Sequence, residues 1–188
     1  MRIDIMTDIE TLGTNKDSSI FQISAIAFDI INGDHKAVFN QIVDIEKNKE
    51  VNVTGSTLKW WLNTNKELLQ NLLNQGVYSS EEVLSNFYKW INDLKLKYSE
   101  VNLWGNGILF DNALIQAQLR DMGLDYPISY KNDRDVRTVV DLACMKLGLS
   151  EKELKEKFND SELVEHNALD DVKYQIRLVT YCYNVLVK

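Results

Sequence analysis

Arg2-Ile3-Asp4-Ile5-Met6-Thr7-Asp8-Ile9-Glu10-Thr11-Leu12-Gly13 decides how the rest of this chain is read. Apolar Ile3 and Ile5 predict a first strand over residues 2–8. Strand side chains alternate faces with a period of two, so Asp8 and Glu10 point the same way. Two neighbouring carboxylates repel, and burying them costs several kcal/mol unless something cancels the charge. A divalent cation is the simplest canceller, and hard oxygen ligands suit Mg²⁺ or Mn²⁺. Alternatively the strand ends in a polar turn, with both carboxylates solvated or capping. Further carboxylates and a base downstream would favour the cation.

At 188 residues the chain is expected to form one domain, 1–188, with a sizeable core. Its single proline and eight glycines leave little room for linkers. Arg2, Asp4, Asp8 and Glu10 crowd the start, so no secretory signal is expected there. Asp29 interrupts the longest apolar run, which stays short of the roughly 18–20 residues of a membrane span. Cys144 and Cys182 fall in helical patterns and read as free core thiols of a reducing, cytoplasmic setting. The net charge of −7 disfavours broad binding to duplex nucleic acid through a basic surface. It does not exclude a nucleic-acid enzyme, because a carboxylate cluster that loads cations inverts its local charge.

Residues 20–31 are rich in β-branched and aromatic residues and predict a second strand. Asn32-Gly33-Asp34 is a hairpin signal, and 36–46 returns as a third antiparallel strand. Ser56 is placed to cap a short helix through Trp60 and Trp61. Adjacent tryptophans cannot share one helix face. Either both pack, or one lies at a site mouth as a stacking surface. Helices are expected over 66–74 and, after the capping-box pair Ser79 and Glu82, over 80–95. Residues 100–104 form a fourth strand, and 126–130, with Pro127, an edge strand.

Asp111 then opens an amphipathic helix reaching Met122. The cationic cluster Lys131 to Thr138 leads into a helix over 136–147. Arg134 and Arg137 either meet phosphates or pair with Asp133 and Asp135. Residues 150–160 are charged and predict a short helix and an exposed loop. A last helix opens with His166-Asn167-Ala168-Leu169-Asp170-Asp171 and runs to about Leu186, with Ala168, Val172, Ile176, Val179, Tyr183 and Leu186 as its core stripe. His35, the other histidine, follows the hairpin turn and carries no assigned role.

Asp8, Glu10, Asp111, Asp171 and His166 are together the parts for phosphodiester cleavage with two divalent ions. An imidazole near neutrality suits deprotonation of the attacking water. Asp8-Ile9-Glu10-Thr11-Leu12-Gly13, Phe110-Asp111 and His166-x-Ala168-x-x-Asp171 resemble, in order and over nearly the whole chain, the three motifs of DEDDh exonucleases. These form the DnaQ-like 3′–5′ exonuclease superfamily. The closest resemblance is to a compact, often phage-borne subgroup that includes DexA-type phage exodeoxyribonucleases, exodeoxyribonuclease VIII-like proteins and a mycobacterial-type exoribonuclease. Ser56-Thr57-Leu58-Lys59-Trp60-Trp61, Trp104-Gly105-Asn106-Gly107 and Asn132 to Thr138 carry that closer match. Many superfamily members have His-Asn where Asn106-Gly107 stand, a departure that bears on substrate detail and leaves the carboxylates intact.

The resemblance implies an α/β ribonuclease H-like fold, a mixed five-stranded sheet with an N-terminal antiparallel meander and helices on both sides. It implies two Mg²⁺ or Mn²⁺ ions per site. Asp8 would bridge them, Glu10 and Asp171 would complete one site, and Asp111 would hold the other largely through water. His166 would be the general base. Thr11 would meet the terminal sugar and Leu12 its base, with Asn106, Phe110, Arg134 and Arg137 as further substrate contacts. The partners would be single-stranded DNA or RNA 3′ ends, with no membrane and with a homodimer left open. The product would be a nucleoside 5′-monophosphate, and the phage relatives suggest a phage or prophage origin. A phosphodiesterase for very short oligonucleotides and a non-catalytic nucleic-acid-binding module are the alternatives. The complete set of four carboxylates counts against the module.

Overall fold

β1 covers Arg2–Thr11 in the computed structural model, which describes residues 1–188. It outruns the expected 2–8 because its far half stays paired. Residues through Thr11 continue against β2 (Ile20–Phe28) after the partner on the other edge ends at Met6. β2 is antiparallel to β1, and β3 (His35–Ile42) is antiparallel to β2. The meander is formed as expected, with shorter outer strands. β2 stops at Phe28 because Asp29 turns the chain: its carboxylate accepts the Ile31 N–H at 2.8 Å and its carbonyl the Gly33 N–H at 2.7 Å. β3 stops at Ile42, and Asp44 caps a single 3₁₀ turn at Ile45–Lys47.

β4 (Glu100–Gly105) lies parallel to β1 on its other edge, and β5 (Asp133–Asp135) extends the sheet parallel to β4. The order is β3-β2-β1-β4-β5. The expected edge strand at 126–130 is absent. There the Tyr126 hydroxyl donates to Asp133 Oδ1 at 3.0 Å and Ile128 is buried in the core. The edge strand falls instead on an all-charged triplet with no apolar alternation.

Seven helices complete the chain: α1 (Gly55–Thr64), α2 (Lys66–Asn74), α3 (Ser80–Lys97), α4 (Asp111–Asp121), α5 (Val136–Leu147), α6 (Glu151–Glu156) and α7 (Ala168–Val187). α3 starts on the expected capping box of Ser79 and Glu82. α1 starts two residues earlier than expected, after Thr54, so Ser56 lies inside its first turn and is no cap. α7 starts after Asn167, whose side chain accepts the Leu169 N–H, and His166 precedes it. Tyr183 and Leu186 are half-buried, and Gln175, Leu178 and Cys182 join the inward face.

Strand alternation divides the core. Ile3, Ile5 and Ile9 of β1 pack with Val83, Phe87 and Ile91 of α3 and Leu114 of α4 on one face. Met6 and Trp104 pack with Val140 of α5 and Val172, Ile176 and Val179 of α7 on the other. Cys144 and Cys182 are free, buried thiols within that second layer. Leu12, Phe21, Trp61, Leu69 and Leu72 make a third cluster where α1 and α2 meet the sheet. No helix is long and apolar enough to cross a membrane.

Candidate active site

β1 and β4 are parallel neighbours from which the chain departs to opposite sides: β1 leads to β2, and β4 leads to α4. Open α/β sheets bind ligands in the crevice at the carboxyl ends of such strands. A cleft of about 1040 Å³ lies there, lined by Asp8, Glu10, Asp111, Asp171 and His166 among others. Asp8 and Glu10 come from the end of β1, on its α7 side. Asp171 comes from the first turn of α7. Carboxylate oxygens of Asp8, Glu10 and Asp171 all lie within 4.8 Å of one another.

Asp111 reaches the same cleft from the first residue of α4 and stands outside that trio. Gly105 permits its approach. A Cβ there would stand 2.6 Å from Asn112 Oδ1 and 3.3 Å from Asp111 Oδ2. Gly107, at φ +116°, then carries the chain through a turn that side chains disfavour.

His166 has φ 66°, a left-handed conformation that histidine tolerates better than most residues. Its backbone N–H donates to Asp171 Oδ2 at 3.1 Å. Its imidazole meets the Trp60 ring edge-on, with centroids 4.8 Å apart and planes at 83°. The adjacent tryptophans have divided: Trp61 is 1% exposed and Trp60 43%. The Trp61 indole N–H donates to the Thr11 carbonyl at 3.0 Å. One tryptophan therefore anchors the end of β1, and the other forms the wall beside His166.

The carboxylates strain against their surroundings. Burial, followed by the charges of Asp111 and Asp171, pushes Asp8 well above the usual range. Burial and then Asp8 do the same to Glu10. Burial raises Asp111 to about 7, against the pull of backbone N–H groups and Arg137. Burial raises Asp171 to about 6, against the His166 N–H. No cationic side chain enters the trio. Three converging hard oxygen donors with uncancelled charge fit a divalent cation.

A stability prediction follows from these shifts. Unfolded carboxyls ionise near their ordinary values of about 4. Within the fold, Asp171 ionises at about 6 and Asp111 at about 7. Between those limits the folded chain holds more protons than the unfolded chain, so stability falls as pH rises through that window. The metal-free protein should melt higher near pH ~5 than near pH ~8, and Mg²⁺ or Mn²⁺ should raise the melting temperature more at the higher pH. Thermal melts with EDTA or metal at both pH values check this. A metal-free melting point that rises toward the alkaline side would contradict it.

Of the expected substrate contacts, Asn106, Phe110 and Arg137 line the main cleft. A Cβ on Gly107 would lie 3.5 Å from the Arg137 Cζ, so that guanidinium stands against the glycine turn. Thr11 lines a smaller cleft of about 470 Å³, with Thr14, Ser56, Thr57, Trp60 and Phe110. Its hydroxyl donates to the Gly13 carbonyl at 2.6 Å. The structure places the other two away from both clefts. Leu12 is 4% exposed, packs in the third apolar cluster and lines neither cleft, because β1 carries it inward beside Trp61. Arg134 turns back on its own loop, donating to the carbonyls of Lys131 at 2.7 Å and Asp133 at 2.9 Å. Neither arginine pairs with Asp133 or Asp135; those acids serve Asn112 with Tyr126, and Thr138.

Sequence reasoning missed Gln175, whose amide donates to Asp8 Oδ1 at 3.0 Å. Its place one turn after Asp171 was the available signal. It also missed Lys155 and the segment from Asn159 to Glu165, which wall the main cleft. Their charged composition reads as solvent-exposed.

A mixed five-stranded sheet flanked by helices, with acidic motifs at the ends of its first strand, fourth strand and last helix, defines the ribonuclease H-like fold of DEDDh exonucleases. The chain belongs to the family of 3′-5′ exoribonuclease Rv2179c-like domains, whose model matches residues 3–183. It is therefore a domain of the 3′–5′ exonuclease class.

Solved structures share the fold at low identity. Cell-death related nuclease 4 has a TM-score of 0.70 at 15% identity, covering 97% of this chain and 64% of that one. The nuclease domain of 3′hExo, a DEDDh family member solved with rAMP, has a TM-score of 0.65 at 15% identity over 97% of this chain and 92% of that one. The zinc-bound complex of E. coli ExoI with single-stranded DNA has a TM-score of 0.66 at 16% identity, over 95% of this chain and 40% of that one. The chain thus spans under two thirds of the nuclease 4 and ExoI chains. No curated protein matches it in sequence.

Proposed function

We propose that this chain is a metal-dependent exonuclease that removes nucleoside 5′-monophosphates from single-stranded 3′ ends. The observation that carries this reading is the convergence of Asp8, Glu10 and Asp171 within 4.8 Å, in the cleft that also holds His166 and Asp111. Asp8, Glu10 and Asp171, with Asp111, would hold two ions, Mg²⁺ or Mn²⁺. Bound there, such ions supply Lewis-acid stabilisation of the charge on the attacking and leaving oxygens.

The chain's own residues do the rest. His166 takes the proton of the attacking water, its ring held by Trp60. Water adds to phosphorus, the bond to the penultimate 3′ oxygen breaks, that oxygen takes up a proton from solvent to become the new 3′-hydroxyl, and the terminal nucleotide leaves with its 5′ phosphate. The smaller cleft receives the terminal nucleoside, with Trp60 and Phe110 as apolar surfaces. Thr11, Thr14, Ser56 and Thr57 offer hydroxyl partners for its sugar, a 2′-hydroxyl included. Arg137 meets a phosphate. The family description, an exoribonuclease, favours RNA.

A gel assay with matched 5′-labelled single-stranded RNA and DNA, in Mg²⁺, Mn²⁺ and EDTA, tests the reading. A metal-dependent ladder shortening from the 3′ end is expected, faster on RNA. Equal cleavage in EDTA would overturn the metal requirement, and faster DNA cleavage the sugar preference.

One observation favours very short oligonucleotides as substrates. Arg137 and Lys155 are the only lysine or arginine side chains lining the main cleft, against six carboxylates. Few phosphates can be held there, so KM should stop improving beyond a few nucleotides. Competition between trinucleotides and 20-mers measures this.

A further inference from the structure

Asp8 is held from behind by a neutral side chain. Gln175 Nε2 donates to Asp8 Oδ1 at 3.0 Å. Gln175 is 4% exposed, lines the main cleft, and stands on α7 one turn beyond Asp171. The face around it is apolar, formed by Val172, Ile176 and Val179. A leucine or methionine would be the ordinary occupant of such a position. Among the hydrogen bonds to Asp8, Glu10 and Asp171, this is the one donated by a side chain.

The amide suits a particular task. Carboxylate rotation about its last torsion is broad, so a free Asp8 would sample many orientations. One donated N–H fixes that torsion. A lysine or arginine would fix it too, but would cancel the charge that attracts a cation. A glutamate would add repulsion. Only a neutral donor orients the carboxylate and leaves its charge available.

A second observation points the same way. Gln175 Oε1 is buried and has no hydrogen-bond partner. A buried acceptor without a partner costs free energy, so stability alone does not select a glutamine at this position.

We propose that Gln175 is a positioning residue for the divalent cation site, locking Asp8 through its amide N–H. This rests on the metal-site reading of the cleft. Partners that orient metal ligands are commonly worth one to two orders of magnitude in affinity.

The test measures Mn²⁺ binding by isothermal titration calorimetry in the wild type, Gln175→Met and Asp8→Asn. Methionine keeps the volume and helix preference and removes both polar atoms. Gln175→Met should bind Mn²⁺ about 10- to 100-fold more weakly. Its KM for a single-stranded oligonucleotide should be unchanged, and raising Mn²⁺ should restore its kcat. Its metal-free melting temperature should not fall, because the buried orphan oxygen is gone. A merely structural glutamine would show the reverse: a lower melting temperature with wild-type Mn²⁺ affinity, and that result overturns the proposal. Should Gln175→Met not fold, Gln175→Leu makes the same comparison. A wild type that binds no Mn²⁺ would defeat the metal-site reading itself. Binding by the wild type and by Gln175→Met with equal affinity would defeat only the role of Gln175.

Discussion

Asp8→Asn is expected to abolish turnover while making the metal-free protein more stable. Asp8 is the carboxylate that the others crowd: Asp111 and Asp171 both raise its proton affinity, on top of burial. It is also one of the three whose oxygens converge within 4.8 Å. Asparagine keeps the shape and an oxygen that still accepts the Gln175 amide, but carries no charge. Divalent ions contribute several kcal/mol of transition-state charge stabilisation, so losing one of the carboxylates that would hold them should lower kcat by about 10³-fold or more. Removing one like charge from a buried group relieves repulsion, so the EDTA-treated variant should melt above the wild type. Steady-state rates in Mn²⁺ and paired thermal melts measure both effects. Near-wild-type turnover in Mn²⁺ would sink the mechanism. Lost activity with a lowered melting temperature would indicate damage to the fold instead.

His166→Ala is expected to lower kcat by about 10²- to 10⁴-fold, the usual contribution of a positioned general base. Metal affinity should be largely kept, because the imidazole is not among the three converging ligands and the backbone N–H to Asp171 survives the substitution. The backbone at this position is left-handed, so alanine adds strain that asparagine tolerates better. His166→Asn is therefore the cleaner comparison, and the two variants should fall together in rate. Free imidazole should partly restore His166→Ala, because the space beside Trp60 is left open. A loss smaller than about tenfold in both variants would remove the base role from His166.

Local chemistry made much of the site legible. Alternation along β1 put Asp8 and Glu10 on one face before any partner strand was known. The spacing of His166, Ala168 and Asp171 announced a helix start, and α7 begins within that motif. The Ser79 and Glu82 pair predicted the start of α3. The strand ends were less legible. β2 stops at Asp29 because that side chain and carbonyl make a turn, which apolar composition does not encode. β5 is a charged triplet held only by its pairing to β4.

The grouping of four carboxylates with a histidine came from their resemblance to the DEDDh motifs, whereas the sequence by itself determined which residues share a face and where helices begin. These are properties of neighbours along the chain, set by the period of two in strands and by the first turn of helices. Only the tertiary structure decided which of them meet. Asp8 and Asp171 are brought together by α7 packing on β1 and β2, far apart in the chain. The same packing sent Leu12 inward and Trp60 to the cleft, turned Arg134 onto its own loop, and set Gln175 behind Asp8. Convergence depends on strand order and helix docking, and neither is written in any local stretch of residues.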